Sequence, residues 1–240
     1  GQGHTISGLF VAIPESEEFL SSAFFGTIGK DAVVTNLVFL KVRLYAETFA
    51  QAKNIAPVFS TNLGTVSGVR VKDLSACSSS NVAGFGVANE GTVKNCRVYN
   101  FSTDAHSIVA GLINLNKEGA TVDSCGVEVM NVSASGVVFA DNYCAGLVFF
   151  NRGSLKNSYI NRAAFSHDSS FSYRLSTLAN ENSGAIENCY AQGEGSSGTL
   201  LSAIYTGTGT VRNVYSSAPD VNPSIKRFFV VEGTRYFELG

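Results

Sequence analysis

Three stretches of this chain bring together side chains that can do chemistry. "NFSTDAHS" carries Asp104 and His106, "ADNYC" carries Asp141 and Tyr143, and "SHDSSFSYR" carries His167, Asp168, Tyr173 and Arg174. Tyrosine rings stack on sugar faces, and carboxylates, imidazoles and guanidinium groups hydrogen-bond hydroxyls, so one patch of these residues is suited to holding carbohydrate. A sharper alternative uses the same groups as general acid and base in polysaccharide cleavage, which needs two carboxyl groups flanking the scissile bond. A calcium-dependent lyase would need a dense acidic cluster beside a basic residue, and none is visible.

Metal chemistry finds no support in the spacing. His4, His106 and His167 are followed by Thr, Ser and Asp, so no His-Glu-x-x-His zinc motif exists. The cysteines, Cys77, Cys96, Cys125, Cys144 and Cys189, form no C-x-x-C pair and are odd in number. No metal and no cofactor is expected. Asn100-Phe-Ser and Asn131-Val-Ser match the glycosylation sequon by chance in so asparagine-rich a chain.

The elements that must position these residues follow from composition and repetition. The charged fraction is 15%, well below the roughly 25% of ordinary soluble proteins, and polarity is supplied instead by Ser, Thr, Asn and Gly. Seventeen Phe, nine Tyr and many Val favour strands over helices. A formal net charge of -2 offers no basic field, so nucleic acid is excluded as a partner. No apolar run approaches the roughly 20 residues of a membrane-spanning helix, and no membrane insertion is expected. A chain that opens "GQGHTISGLF" reads as part of something longer, with any targeting segment elsewhere.

"AGFGVANEGTVKNCRV", from Ala83, is one copy of a repeat. Others are "APVFSTNLGTVSGVRV" from Ala56, "AGLINLNKEGATVDSCGV" from Ala110, "AGLVFFNRGSLKNSYI" from Ala145, "STLANENSGAIENCYA" from Ser176 and "SAIYTGTGTVRNVYS" from Ser202. A degenerate copy, "AFFGTIGKDAVVTNLVF", starts at Ala23. Gly64, Gly91, Gly119, Gly153, Gly184 and Gly209 recur at intervals of 25 to 34 residues. Such a period signals a solenoid. The return segments lack helical periodicity and a leucine ladder, and the chain has no Trp, which argues against leucine-rich, ankyrin and WD40 repeats.

The expected fold is therefore all-β, a right-handed parallel β-helix of about seven coils, its hand taken from the rule for parallel crossovers. Within one coil Phe85, Val87, Val93, Cys96 and Val98 should face inward and Glu90, Lys94 and Arg97 outward. Val66, Val93, Val122, Leu155, Ile186 and Val211 should stack as one inward ladder. Two asparagine ladders are expected: Asn62, Asn89, Asn116, Asn151 and Asn182 before the turn glycines, and Asn36, Asn95, Asn157, Asn188 and Asn213 at the next bend, with Gly68 and Ser124 as exceptions. The turn glycines are expected at positive φ. Cys96, Cys125 and Cys189 share one column and read as small core fillers.

The copies opening Ala83-Gly84-Phe85-Gly86, Ala110-Gly111-Leu112 and Ala145-Gly146-Leu147 resemble GLUG-motif repeats, and "GQGHTISGLF" is similar to the coil that often opens such arrays. GLUG repeats occur in bacterial surface proteins, many from gut Bacteroidetes, and in non-catalytic regions of immunoglobulin A metallopeptidases. The resemblance implies a cell-surface or extracellular location and an adhesin-like role, with a glycan or a host surface protein as partner and a monomeric chain. A polysaccharide lyase or hydrolase, a non-catalytic part of an immunoglobulin A protease and a pure spacer are the competing functions, because the motif describes scaffold positions.

Residues 1–216 are read as the repeat domain and 217–240 as a strand pair around Glu232-Gly233, a cap or the start of a following domain. "PESEEFLSSAFF" and "YAETFAQAKNIA" read as short helices that shield a coil edge. Ligand-contacting residues are expected on insertions between the repeats, at Asp104, His106, Asp141, Tyr143, His167, Asp168, Tyr173 and Arg174.

Overall fold

A computed structural model describes residues 1–13, 21–46, 53–78, 81–105, 108–134, 142–167, 173–195, 199–218, 224–231 and 234–237. Among them there is no helix, and the strands stack coil on coil as a parallel β-solenoid. One coil shows the plan. Asn81–Ala83 and Gly86–Asn89 form a sheet that bends at Gly84, Thr92–Lys94 forms a short sheet, and Arg97–Ala105 forms a long one. Each strand pairs in parallel with its equivalents above and below, as Val93 does with Val66 and Val122. The bent and long sheets each have 12 strands among the described residues, and the short sheet has seven, one for each coil. Five successive turns, from Asn62 to Asn182, carry the inner asparagine ladder.

Alternation puts Phe85, Val93, Cys96 and Val98 inside, in one continuous core with Phe39, Phe59, Phe101, Met130, Leu147 and Leu155. The ladder from Val66 to Ile186 is buried, and Val211 packs against its end. Val87 departs from expectation. It is buried outside the core, in a separate cluster with Ala56 and Ala83. The reason is the bend, which uses two consecutive inward positions, Phe85 and Gly86. A Cβ on Gly86 would lie 2.2 Å from the Phe59 ring, so the glycine makes room for that ring and the alternation changes phase after it.

The asparagines behave as ladders, but the conformational roles are exchanged relative to expectation. Asn36, Gly68, Asn95, Ser124, Asn157, Asn188 and Asn213 all sit at φ between 50 and 65°. Gly119 alone among the turn glycines has positive φ. At the outer bend Asn213 Nδ2 donates to Asn188 Oδ1 at 3.0 Å, Asn188 to Asn157 at 3.1 Å and Asn157 to Asp123 at 2.8 Å. Burial pushes the Asp123 carboxyl up, but hydrogen bonds from Asn157 and Ser124 and the Lys156 ammonium outweigh it and hold Asp123 below its ordinary value.

Asn157→Ala is accordingly expected to lower stability by about 1–2 kcal/mol, chiefly because a Cβ without a hydrogen-bonding side chain is poorly accommodated at positive φ. Lys156→Ala should change it by under about 1 kcal/mol, since the Lys156–Asp123 pair is 3.7 Å apart and partly exposed. Urea denaturation of the two variants checks this, and equal shifts would contradict the corner assignment. The lowered pKa of Asp123 adds stability that is present above the ordinary carboxylate pKa and is lost as pH falls through the lower folded value. Acid unfolding of Asn157→Ala should therefore begin at higher pH than in the parent.

The three cysteines of the column fill the core, as expected. Cys96, Cys125 and Cys189 are buried and free, and each thiol donates to the carbonyl two residues before it at 3.2 Å. Ser158 makes the same bond at 2.7 Å in the intervening coil. Burial raises the thiols of Cys125 and Cys189, the latter to about 12.

The described parts of the two segments read as helices are strands, Ser21–Ser22 and Phe25–Ile28 in one and the end of Val38–Ala46 and Asn54–Ile55 in the other. Residues 14–20 and 47–52 lie outside the described residues. At the C-terminus Ile225–Val231 adds in parallel to Val214–Ser216 and pairs antiparallel with Thr234–Phe237, while Glu232 and Gly233 lie outside the described residues.

Candidate functional site

The three insertions fall at one corner, between a long-sheet strand and the bent-sheet strand that follows it. Ala105 leads towards Val109, Ala134 towards Asn142, and His167 towards Tyr173. Much of what reads as insertion is strand, however. Tyr159–His167 and Tyr173–Asn182 reach far into the stretch expected to be loop.

The corner separates the candidate residues. Asp104 is the penultimate residue of a long-sheet strand, on that sheet's outer face, in register with exposed Cys77 and with Ser133, which pairs in turn with Ser166. His167 pairs with Ala134 at the end of the same sheet, and Tyr173 pairs with Asn142 and Thr199 in the bent sheet. The side chains of His167 and Tyr173, and His106, Asp141 and Asp168 altogether, lie outside the described residues. Tyr143 and Arg174 are brought together, directly opposite each other in the bent sheet.

Around that pair the two arms of the bent sheet converge. On the outer face of the first arm run Ile108, Tyr143 and Arg174, and beside them the small residues Ala83, Ala110, Ala145 and Ser176. On the second arm Val87, Asn114, Phe149, Asn180 and Tyr205 follow one another coil by coil. The Tyr143 ring lies 6.5 Å from Phe149 and 6.4 Å from Tyr205, across the bend. The Arg174 guanidinium sits 5.4 Å from the Tyr143 ring and 4.5 Å from the Tyr205 ring, a cation held over two aromatic faces. Ala110, Ala145 and Phe149 are buried although they belong to the outer face. A groove results, floored by alanines and running along the solenoid axis.

Polar atoms in this groove lack partners. Asn114 is 5% exposed and neither atom of its amide is hydrogen-bonded; Asn180 Oδ1 (7% exposed residue), Ser176 Oγ (0%) and Arg174 Nε are likewise unpaired. Leaving a buried donor or acceptor unpaired costs about 1–3 kcal/mol, so several in one groove call for an explanation. Arg174 makes no ion pair among the described residues.

The long sheet supplies the contrast. There Tyr159 stacks on Tyr190 at 5.3 Å, and Arg97 lies 5.1 Å from the Tyr159 ring. Glu128 accepts from Tyr159 Oη and from Asn161 Nδ2, and Asn161 Oδ1 accepts from Tyr190. Burial and the Glu128 hydrogen bond raise the Tyr159 phenol to about 12. That cluster consumes its own polar groups and presents ring edges, which suits a structural staple. The groove leaves buried polar atoms of Asn114, Arg174, Ser176 and Asn180 unpaired.

Sequence reasoning named Tyr143 and Arg174 but missed Asn114, Phe149, Ser176, Asn180 and Tyr205. A signal existed for three of them. Counting two residues back from each asparagine of the inner ladder gives Ser60, Val87, Asn114, Phe149 and Asn180, an outward column once the change of phase at Gly86 is known. Among the described residues no three His, Cys, Asp or Glu are grouped to hold a metal. In comparisons with known proteins the chain matches no family model, no curated protein and no solved structure.

Proposed function

We propose that the chain is an extracellular binding and display module of a bacterial surface protein, adhesin-like, which holds carbohydrate in the groove of the bent sheet. The carrying observation is the set of buried, unpaired amide and hydroxyl groups of Asn114, Ser176 and Asn180 beside the Tyr143, Arg174 and Tyr205 cluster. Sugars satisfy both halves of such a surface at once, hydroxyls meeting amides and ring faces meeting tyrosines. Successive coils lie about 4.8 Å apart, close to the length of one sugar ring, so an extended oligosaccharide can place one unit on each coil.

The test is binding to a panel of immobilised polysaccharides and host glycans. Tyr205 is 42% exposed, and Tyr205→Ala is expected to weaken binding about tenfold or more, without a change in the strand signature of the folded chain. Absence of binding to every glycan by the folded chain would overturn the reading, and capture of host protein that survives deglycosylation would replace it with protein recognition.

A further inference from the structure

We infer that the groove selects sugars carrying a carboxylate, with Arg174 as the group that reads it; this rests on the proposal that the groove binds carbohydrate. Arg174 is the cation at the centre of the aromatic cluster. It is held over two tyrosine rings and makes no ion pair among the described residues. A folded protein that places a guanidinium in a half-buried aromatic setting commonly neutralises it with its own Asp or Glu. Here the charge is oriented over the rings and no described carboxylate pairs with it, which suits a ligand's carboxylate. Nε of Arg174 is buried, and the Nη1–Nη2 edge of the guanidinium carries the parallel N–H donors that match the two oxygens of a carboxylate.

The rest of the arrangement fits a pyranose ring bearing that carboxylate. Arg174, Ser176 and Asn180 belong to one strand, Tyr173–Asn182, and Ser176 and Asn180 face the same groove from its two arms. Ser176 Oγ and Asn180 Oδ1 have no partner, and Tyr205 offers an exposed aromatic surface from the adjacent coil. A carboxylate on the guanidinium edge, ring hydroxyls on the serine and the amide, and a ring face on Tyr205 would use each of these groups. Asn114 lies two coils further along the same column, beyond Phe149, with both halves of its amide unpaired. It supplies a second hydroxyl-reading position for a longer acidic oligosaccharide. A neutral glycan would leave the Arg174 charge with no counter-charge from itself or from the described residues.

Two sources offer this chemistry, polyuronates and glycans that end in sialic acid. Both are tested against their neutral counterparts by calorimetry or biolayer interferometry. The pairs are oligogalacturonate against its methyl ester, and sialyllactose against lactose. In at least one pair the acid form is expected to bind about tenfold or more tightly than the neutral form. The preference should shrink as salt rises from 50 to 500 mM, roughly as screening predicts. Arg174→Gln should bring the acid-to-neutral ratio close to one, whereas Arg162→Gln, an exposed residue of the long sheet paired with Glu194, should leave it unchanged. Arg174→Lys should recover part of the preference, because charge returns without the planar fork.

Equal binding of acid and neutral forms by the parent chain would overturn the inference while leaving carbohydrate binding in place. An acid preference that persists in a folded Arg174→Gln variant would overturn the assignment to Arg174. Binding of no glycan in either pair, or in the wider panel, would remove both readings.

Discussion

Asn116→Ala is expected to cost about 3–4 kcal/mol, more than the exposed Asn157→Ala. Asn116 lies in the middle of the inner ladder and is fully buried. Its Nδ2 donates to Asn151 Oδ1 at 2.8 Å and to the Ser154 carbonyl at 3.3 Å, and its Oδ1 accepts from Asn89 Nδ2 at 2.9 Å. Truncation removes these bonds from a site closed to solvent. Asn151 Oδ1 and the Ser154 carbonyl each lose a donor, while Asn89 Nδ2 keeps its bonds to the carbonyls of Gly91 and Thr121. At about 1–3 kcal/mol for each buried group left short, together with a small cavity, the total reaches that range. Position in the ladder should matter. Asn62 stands at one end and donates to Asn89 Oδ1, which still accepts from the Gly91 amide at 3.3 Å. Asn62→Ala should therefore be milder than Asn116→Ala. Denaturation midpoints for the three variants check the ranking, and equal losses at Asn62, Asn116 and Asn157 would mean that the amides act singly.

The ladders were legible in the sequence because a solenoid repeats its constraints. An asparagine that bonds its copy in the next coil must recur in register, so recurrence reports contact directly. The same reasoning found the inward ladder from Val66 to Ile186 and the cysteine column. It failed where the physical demand can be met by several residue types. Lys41, Asp73 and Asn100 form a further bend at φ near 55° within the long-sheet strands, bonded from Asn100 Nδ2 to Asp73 Oδ1, and three different residues occupy it. It failed also at Val87, where strict alternation cannot reveal that a bend takes two inward positions in succession.

The candidate site was half legible. Polar and aromatic residues beside the insertions pointed to Tyr143 and Arg174, which the bent sheet does bring together, and the same logic included Asp104, which lies across the corner on another sheet. A list of adjacent residues does not say which side of a corner each one occupies. Asn114 and Asn180 look like ordinary strand polar residues, and only their burial without partners sets them apart. Asn114 and its neighbours Val87 and Phe149 share no chemistry, so recurrence gives no signal at a position that reads ligand instead of the next coil.

Gly91→Ala should be among the most damaging single substitutions in the chain, with a loss of more than about 4 kcal/mol or failure to fold. The cause is space. A Cβ at Gly91 would lie 2.2 Å from the Gly64 carbonyl oxygen and 2.7 Å from the Leu63 carbonyl carbon, which are backbone atoms of the neighbouring coil. Glu90 N donates to the Asn62 carbonyl and Thr92 N to the Gly64 carbonyl, each at 2.8 Å, so the coils cannot separate here without breaking the bonds on both sides of the glycine. Gly64, Gly153, Gly184 and Gly209 meet the same obstacle, with a backbone oxygen 2.1 to 2.4 Å from the added carbon. Gly119 is the internal control. Its turn is one residue longer, its φ is +79°, and a Cβ there would meet nothing within 4 Å. Gly119→Ala should cost only the left-handed conformation, about 1–2 kcal/mol. Denaturation of the two variants separates close approach from backbone conformation: Gly91→Ala as mild as Gly119→Ala would show that the coils can yield at the turn, and a Gly119→Ala as severe as Gly91→Ala would show that the left-handed turn at Gly119 is as costly to disturb as the close approach at Gly91.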